Sequence, residues 1–174
     1  MRDVTPNLGV LHVRGPQAER AMARFSAGRP GWNSLATDAA CSMDGGILCR
    51  LAADEYFYLV EPPEKRAAAY ARLDDILTGQ RAVLSDITHG YGKLELSGPG
   101  VAALLPRLCG LDFSDLGFAD GRVAQTSLAK VHATLVRTGE KSGGPKYYLL
   151  VDRSLSAYVW ETIVAVMQAF KAVN

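Results

Sequence analysis

The chain contains two copies of one strand-to-helix pattern, and this internal repeat restricts its possible folds more than any other feature. The first copy reads GVLHVRGPQAERAM from Gly9, and the second reads GKLELSGPGVAALL from Gly92. In each half an aromatic-rich strand follows further along, ends on Leu-Val and an acidic residue, and leads into a helix. Residues 9–77 and 92–170 are therefore predicted to be duplicated units.

Each unit is predicted to contain a strand, a short helix, a Gly-containing middle with one or two strands, an aromatic strand and a longer helix. The first strands alternate: Leu11 and Val13 share one face, and Leu94 and Leu96 repeat that face in the second copy. One face of each sheet is thus expected to pack on a core. We predict an α+β fold, a single domain made of two β-α-β-type repeats joined by a short linker.

The turn after the first strand of each copy resembles a nucleotide-binding loop but is predicted to start a helix. The second copy carries a Gly-x-Gly-x-x-Ala pattern from Gly98, as in a dinucleotide fingerprint. In the first copy Gln17 stands where the fingerprint needs its second glycine, and Pro99 lacks an amide that a pyrophosphate would use. Because proline suits the start of a helix, the Gly-Pro pairs at Gly15 and Gly98 are predicted helix starts.

Other local signatures of catalysis or metal binding are absent from the sequence. The three histidines have no HxxxH spacing, and the three cysteines have no CxxC spacing and are expected to be reduced thiols. No serine lies in a GxSxG elbow. The segment RTGEKSGGPKYY, residues 137–148, contains Gly-x-Lys-Ser but is predicted to be a mobile hairpin loop between two strands. We therefore expect no metal and no catalytic residue on this chain.

Composition narrows the classes of partner. The 174 residues are 48% hydrophobic, which suits one domain with a core, and their formal net charge is +1. A chain so close to neutral has no field that favours nucleic acid or an anionic membrane surface. The N-terminus lacks the apolar core of a signal peptide, and no apolar run is long enough to span a bilayer. We expect a soluble, cytoplasmic protein.

The C-terminal helix carries more apolar surface than a single packed face requires. From Leu155 to Phe170 its apolar side chains spread over about 180°, whereas an ordinary surface helix has a stripe of about 100°. Two interpretations remain open at this point. The helix is wedged between the two repeats, or another chain covers part of it at Trp160, Val164 and Met167.

A pattern of many positions in the second half points to a family. It consists of Asp86-x-x-His89, Leu96-Ser97-Gly98-Pro99, Thr126-x-Leu-Ala-Lys130 and Arg153-Ser154 followed by Tyr158-x-Trp160. This pattern resembles the gamma subunits of heterotetrameric sarcosine oxidases and, more distantly, the folate-binding domain of the glycine-cleavage T-protein. The resemblance is strongest over residues 83–166.

The resemblance implies both a fold and a setting. The fold is that of the T-protein folate-binding domain, in which tetrahydrofolate lies in an opening between two repeats. In sarcosine oxidases of this type, flavin on the beta subunit oxidises sarcosine, the imine product reaches a folate site on the alpha subunit, and gamma is accessory. For this chain the resemblance therefore implies alpha and beta partner subunits that carry the flavin and tetrahydrofolate, and no cofactor of its own.

The sequence departs from the T-protein pattern at one strand. His132 and Ala133 stand where those enzymes carry an acidic pair facing the folate. A carboxylate there activates the folate nitrogen, so a non-catalytic gamma-type subunit supporting demethylation of sarcosine to glycine is the favoured hypothesis. The alternative is a stand-alone folate-dependent one-carbon transferase or folate-binding protein, with Thr88, His89, Tyr91 and His132 lining the cleft. These side chains have structural interpretations too: His89 caps a turn and Tyr91 packs at a strand start.

Overall fold

The computed structural model describes residues 1–28, 35–43, 45–141 and 144–173. The chain divides into two compact units. The N-terminal unit is Thr5–His89, and the C-terminal unit joins Met1–Val4 to Gly90–Asn174.

Each unit contains one sheet and its own helices. The strands are β1 (Arg2–Asp3), β2 (Gly9–Arg14), β3 (Ala39–Met43), β4 (Gly46–Ala52), β5 (Glu55–Val60), β6 (Val83–Asp86), β7 (Tyr91–Ser97), β8 (Val123–Leu128), β9 (Val131–Lys141) and β10 (Gly144–Asp152). The helices are α1 (Ala18–Phe25), α2 (Lys65–Leu77), α3 (Val101–Leu104) and α4 (Ser156–Val173). Short 3₁₀ turns follow β6, α3 and β10 at Thr88–Gly90, Leu105–Arg107 and Arg153–Leu155.

The sheet of the N-terminal unit has the order β3-β4-β5-β2-β6, and every described pairing in it is antiparallel. Leu11 and Val13 lie on the face that packs against α1 and α2, as the alternation predicted. Helix α1 buries Ala18, Met22 and Phe25, which its 3.6-residue period places on one stripe. This core therefore follows from two periodicities that the sequence displays.

The sheet of the C-terminal unit has the order β1-β7-β10-β9-β8 and is also antiparallel. Leu94 and Leu96 face its core together with Leu135, Leu149 and side chains of α3 and α4. The predicted succession of strand, short helix, middle segment, aromatic strand and longer helix is present in both units, and the middle segment, predicted with one or two strands, has two in each. The predicted α+β fold with duplicated repeats is confirmed.

Each repeat is preceded in sequence by a short strand, β1 or β6, that pairs in the sheet of the other repeat. β1 precedes β2 in sequence but pairs with β7, and β6 precedes β7 but pairs with β2. Position by position, β6-β2-β5-β4-β3 in one sheet therefore corresponds to β1-β7-β10-β9-β8 in the other. Each sheet is completed at one edge by the short strand that comes just before the other repeat in sequence.

The glycines of the two Gly-Pro turns have similar, positive φ angles. Gly15 has a φ of 138° and Gly98 has a φ of 119°, and residues other than glycine rarely adopt such values. Helices follow each turn, although they begin two residues after the proline, at Ala18 and Val101. Since α3 has only four residues and the sheet is antiparallel, the dinucleotide interpretation does not apply here.

The segment with Gly-x-Lys-Ser lies on the β9–β10 hairpin. Its flanking residues pair in antiparallel register from Gly144 with Lys141 to Tyr147 with Arg137. Ser142 and Gly143, at the predicted loop, lie outside the described residues. The part that is described continues the two strands and leads into no helix, so the Walker interpretation does not apply.

Candidate partner-binding site

Helix α4 presents two apolar faces. The first is fully buried: Val159 and Ile163, one turn apart, have no exposed surface and belong to the core of the C-terminal unit. The second contains Trp160, which keeps 37% of its surface exposed, and the half-buried Val164 and Met167. The excess of apolar positions predicted from the sequence therefore corresponds to a face that is open along the helix.

Trp160, Val164 and Met167 line one open groove. Its volume is about 290 Å³, and Met1 and Gln168 complete the lining. Met1 reaches this position because the following residues, Arg2–Asp3, form β1 at the edge of the same sheet. The three residues predicted as a partner-binding set are thus brought together, and no pattern in the sequence indicated that Met1 lies beside them.

A second groove of about 260 Å³ lies on the other side of Met167. It runs over the turn from Ser97 to Gly100, and Leu104 and Phe170 also line it. Its lining is almost wholly apolar, and the guanidinium of Arg107 stacks on the ring of Phe170 with 5.1 Å between Cζ and the ring centroid. Both grooves are small and open, so each suits one or two apolar side chains of another protein better than an enclosed cofactor.

Of the proposed cleft residues, Thr88 is held within the fold. It is 5% exposed, and its Oγ1 accepts a hydrogen bond from the amide of Val10 at 2.9 Å. Its own amide donates to Asp86 Oδ1 at 3.0 Å. Thr88 therefore ties the end of β6 to β2, and the same hydroxyl is not available as a dedicated ligand group.

The carboxylate of Asp86 is stabilised in its ionised form. Partial burial raises its pKa, but hydrogen bonds from Thr88 and the positive charge of Arg66 outweigh that effect, so the pKa lies below the ordinary value. Arg66 Nε lies 3.3 Å from Asp86 Oδ2. The Asp86-x-x-His89 pattern thus forms a charged turn, with His89 exposed at its end.

The other proposed cleft residues belong to the C-terminal unit. Tyr91 begins β7 and is half-buried, while His132 lies near the start of β9 and is exposed. Strand β10 separates the two, with Asp152 opposite Tyr91 in the register. Tyr91 and His132 therefore share one end and one face of the sheet, two strands apart, whereas Thr88 and His89 are part of the N-terminal unit.

The described residues meet neither the requirements of a metal site nor those of a membrane-spanning helix. No cluster of three or more His, Cys, Asp or Glu side chains in this part of the chain could hold a metal ion. Cys41, Cys49 and Cys109 are all free thiols. Within the same described part, no helix is long and apolar enough to cross a membrane.

The GCVT N-terminal domain family matches residues 21–174. The chain belongs to this family. Among its relatives is sarcosine oxidase subunit gamma of Corynebacterium sp. (strain U-96), 26% identical over 168 residues, which cover 97% of this chain and 78% of that protein. The family resemblance inferred from the second half of the sequence is confirmed.

Two solved structures agree with this assignment of fold. Heterotetrameric sarcosine oxidase from Corynebacterium sp. U-96, in complex with pyrrole 2-carboxylate, includes a chain that matches with a TM-score of 0.80 at 22% identity, covering 97% of this chain and 83% of that one. Glycine cleavage system aminomethyltransferase T from Bartonella henselae matches with a TM-score of 0.71 at 17% identity, covering 93% and 44%. These similarities show that this chain has the T-protein-type fold.

Positions 132 and 133 of β9 do not carry the acidic pair that the resemblance associates with folate chemistry. Ala133 is completely buried in the core, and His132 is exposed beside it. Neither side chain supplies a carboxylate, so these positions do not fit the folate-activating role.

Proposed function

We propose that this chain is an accessory subunit of a sarcosine oxidase, or of a similar complex that oxidises N-methyl amino acids. In this role it has no complete active site and supports the oxidative demethylation of sarcosine to glycine through assembly. Larger alpha- and beta-type subunits carry the flavin and the tetrahydrofolate. The similarity to sarcosine oxidase gamma subunits across nearly the whole chain supports this proposal.

The groove at Trp160 carries the structural part of the proposal. A tryptophan that is 37% exposed and lines a groove together with Val164 and Met167 has the form of an interface anchor. Burying such a face against a partner removes apolar area from water, which stabilises a complex by about 25 cal/mol per Å² before the costs of association. We assign this groove to the contact with a larger subunit.

The test is purification of the tagged chain from its own cells, followed by native mass measurement and an absorption spectrum. We expect larger, yellow, flavin-bearing chains to co-purify in a fixed ratio. Trp160→Ala should weaken the complex about 30-fold, equivalent to about 2 kcal/mol. Glu161→Ala, next to it on the exposed side of α4, serves as the matched control and should leave the affinity unchanged.

A colourless protein that purifies alone would contradict the subunit proposal. In that case titration of the isolated chain with tetrahydrofolate decides the alternative, a stand-alone folate-binding protein. Of the residues predicted for that alternative, Tyr91 and His132 share one face of the C-terminal sheet, and His132→Ala should then lower the affinity for tetrahydrofolate. Under the subunit proposal the isolated chain shows no saturable binding in this titration.

A further inference from the structure

One leucine of the C-terminal unit is held entirely in solvent by a rigid loop. Leu116 is 99% exposed, while Phe113 and Phe118 on either side of it are each only 3% exposed. Residues 112–118 are called the Leu116 loop below. Isolated surface leucines are common and need no explanation by themselves. Leu116 differs from such leucines in the hydrogen-bonded loop that carries it and in the acidic side chains near it.

Hydrogen bonds fix the backbone of the Leu116 loop on both sides of the leucine. Ser114 donates from its amide to Asp112 Oδ1 and from its Oγ to Asp112 Oδ2, both at 2.9 Å. The same Oγ accepts from the amide of Gly117 at 3.1 Å, and the carbonyl of Ser114 accepts from the amide of Phe118 at 2.9 Å. The turn that displays Leu116 is thus closed by its own side chains.

A buried arginine attaches the loop to the sheet. Arg137 of β9 is 5% exposed, and it donates from Nη1 to the carbonyl of Phe118 at 2.7 Å and from Nη2 to Asp115 Oδ1 at 2.6 Å. Phe113 and Phe118 pack on the ring of Tyr147, with centroid distances of 5.9 and 6.1 Å. Both ends of the loop are therefore anchored in the core.

Gly117 shows how closely the loop is packed on itself. A Cβ atom at this position would lie 2.4 Å from Asp112 Oδ2 and 2.5 Å from Asp112 Cγ. Any side chain there must displace the carboxylate that holds Ser114. The loop geometry thus depends on glycine at this position, although Gly117 itself is exposed.

The charge around Leu116 is acidic. The carboxyl of Asp112 is exposed, and hydrogen bonds from Ser114 lower its pKa, so it is ionised at neutral pH. The side chain of Asp115 is 86% exposed even though one of its oxygens binds Arg137. A protruding apolar side chain with carboxylates beside it matches an apolar pocket that has cations at its rim.

We propose that the Leu116 loop is a docking element, in which Leu116 inserts into an apolar pocket of a larger subunit whose rim carries lysine or arginine facing Asp112 and Asp115. This inference rests on the proposed function, because it requires a partner subunit. It adds a second contact, separate in sequence from the groove at Trp160. Pre-ordering the loop lowers the entropy cost of binding, which explains why so many hydrogen bonds surround one exposed leucine.

The experiment uses the larger flavin-bearing chains after the native copy of this chain has been removed from them. It measures their affinity for the isolated wild-type chain and for each variant. Leu116→Ala should raise Kd at least ten-fold with no change in melting temperature, because the side chain makes no contact within the fold. Gly117→Ala should also raise Kd although it keeps the leucine. Val83→Ala, which changes a 67% exposed valine of the other unit, should bind like the wild type.

Salt dependence and self-association complete the test. Raising the ionic strength from about 0.05 to about 0.5 M should weaken wild-type binding through screening of the carboxylates. Wild-type affinity for Leu116→Ala overturns the docking inference and leaves the proposed function intact. Failure of the wild-type chain to bind overturns both. Concentration-dependent self-association that Leu116→Ala abolishes also overturns the inference, since the pocket would then belong to a second copy.

Discussion

Among single residues, Glu95 of the C-terminal sheet is an ionised group with two cationic partners. Its Oε2 lies 2.8 Å from Arg2 Nη2 and 2.9 Å from Lys146 Nζ. Burial raises the pKa of Glu95, but the hydrogen bonds from Lys146 and Arg2 outweigh burial and hold that pKa below its ordinary value. This carboxylate therefore joins β1 and β10 to β7 across three neighbouring strands.

The lowered pKa makes a prediction about acid stability. Glu95 binds a proton more weakly in the folded chain than in the unfolded chain, so its contribution to stability is present above about pH 4 and is lost as the pH falls further. Glu95→Gln removes this contribution. The difference in unfolding free energy between wild type and Glu95→Gln, measured in urea, should be positive at pH 7 and shrink below about pH 4. A difference that stays constant with pH would contradict the assignment.

Thr88 shows where sequence reasoning reaches its limit at this scale. A threonine before a histidine in Asp86-x-x-His89 is equally compatible with a ligand site and with a turn. The choice depends on the amide of Val10, which lies far away in sequence and bonds to Thr88 at 2.9 Å. Since no local pattern encodes that partner, the sequence predicted the residue as a candidate but not its structural role.

At the scale of elements, the two repeats use one glycine position in two ways. Gly9 begins β2 and Gly92 lies at the start of β7, at matching places in the repeat. A Cβ atom on Gly92 would lie 2.4 Å from Ser156 Cβ, at the first residue of α4. A Cβ atom on Gly9 would lie 2.9 Å from Arg66 Cδ, in the middle of a flexible side chain. The repeat thus has a tight strand–helix approach in one copy and a looser one in the other.

This difference predicts unequal effects of one substitution. Gly92→Ala should destabilise the chain by about 1–3 kcal/mol, because the helix start must move to admit the methyl group. Gly9→Ala should cost less, since the Arg66 side chain can turn aside. Urea denaturation of both variants measures the two changes, and Gly92→Ala combined with Ser156→Gly should regain part of the loss. Equal costs for the two alanines would contradict the packing difference.

Some element features were available from the sequence and others were not. Period-two alternation placed Leu11 and Leu94 on the core face, and the wide apolar arc of the last helix predicted its second face at Trp160. The sequence pattern did not indicate that α3 would have only four residues. Pro106, which follows shortly after Leu104, cannot donate the amide of an α-helical hydrogen bond, so the helix gives way to the 3₁₀ turn Leu105–Arg107.

Over the full chain, the exchange of the short strands β1 and β6 between the two sheets was not visible in the sequence. The repeat was detectable because long segments match, but β1 has only two residues and no periodicity. The Leu116 loop was missed for a related reason: one exposed leucine in a tight turn follows no period. Repeats and amphipathic faces are patterns within a short segment. The exchange of β1 and β6 and the exposure of Leu116 depend on contacts between residues far apart in sequence.

The exchange predicts that the N-terminus stabilises the C-terminal unit. Deleting residues 1–4 removes the pairing of Arg2 with Glu95 and of Asp3 with Leu94, the bond from the Val4 amide to the Lys93 carbonyl at 2.9 Å, and the burial of Val4. Losing a buried valine alone costs about 1.5–3 kcal/mol. Hydrogen exchange should therefore quicken at the β7 amides.

The location of the change tests the topology directly. Strand β2 lies closest to the deletion in sequence, yet it pairs with β5 and β6 and should keep its protection. A loss of protection confined to β2 would mean that β1 stabilises the N-terminal sheet, contrary to its observed pairing with β7. Faster exchange at β7 with β2 unchanged would show that each repeat is completed by the other, and would support the proposal that the two repeats form one domain.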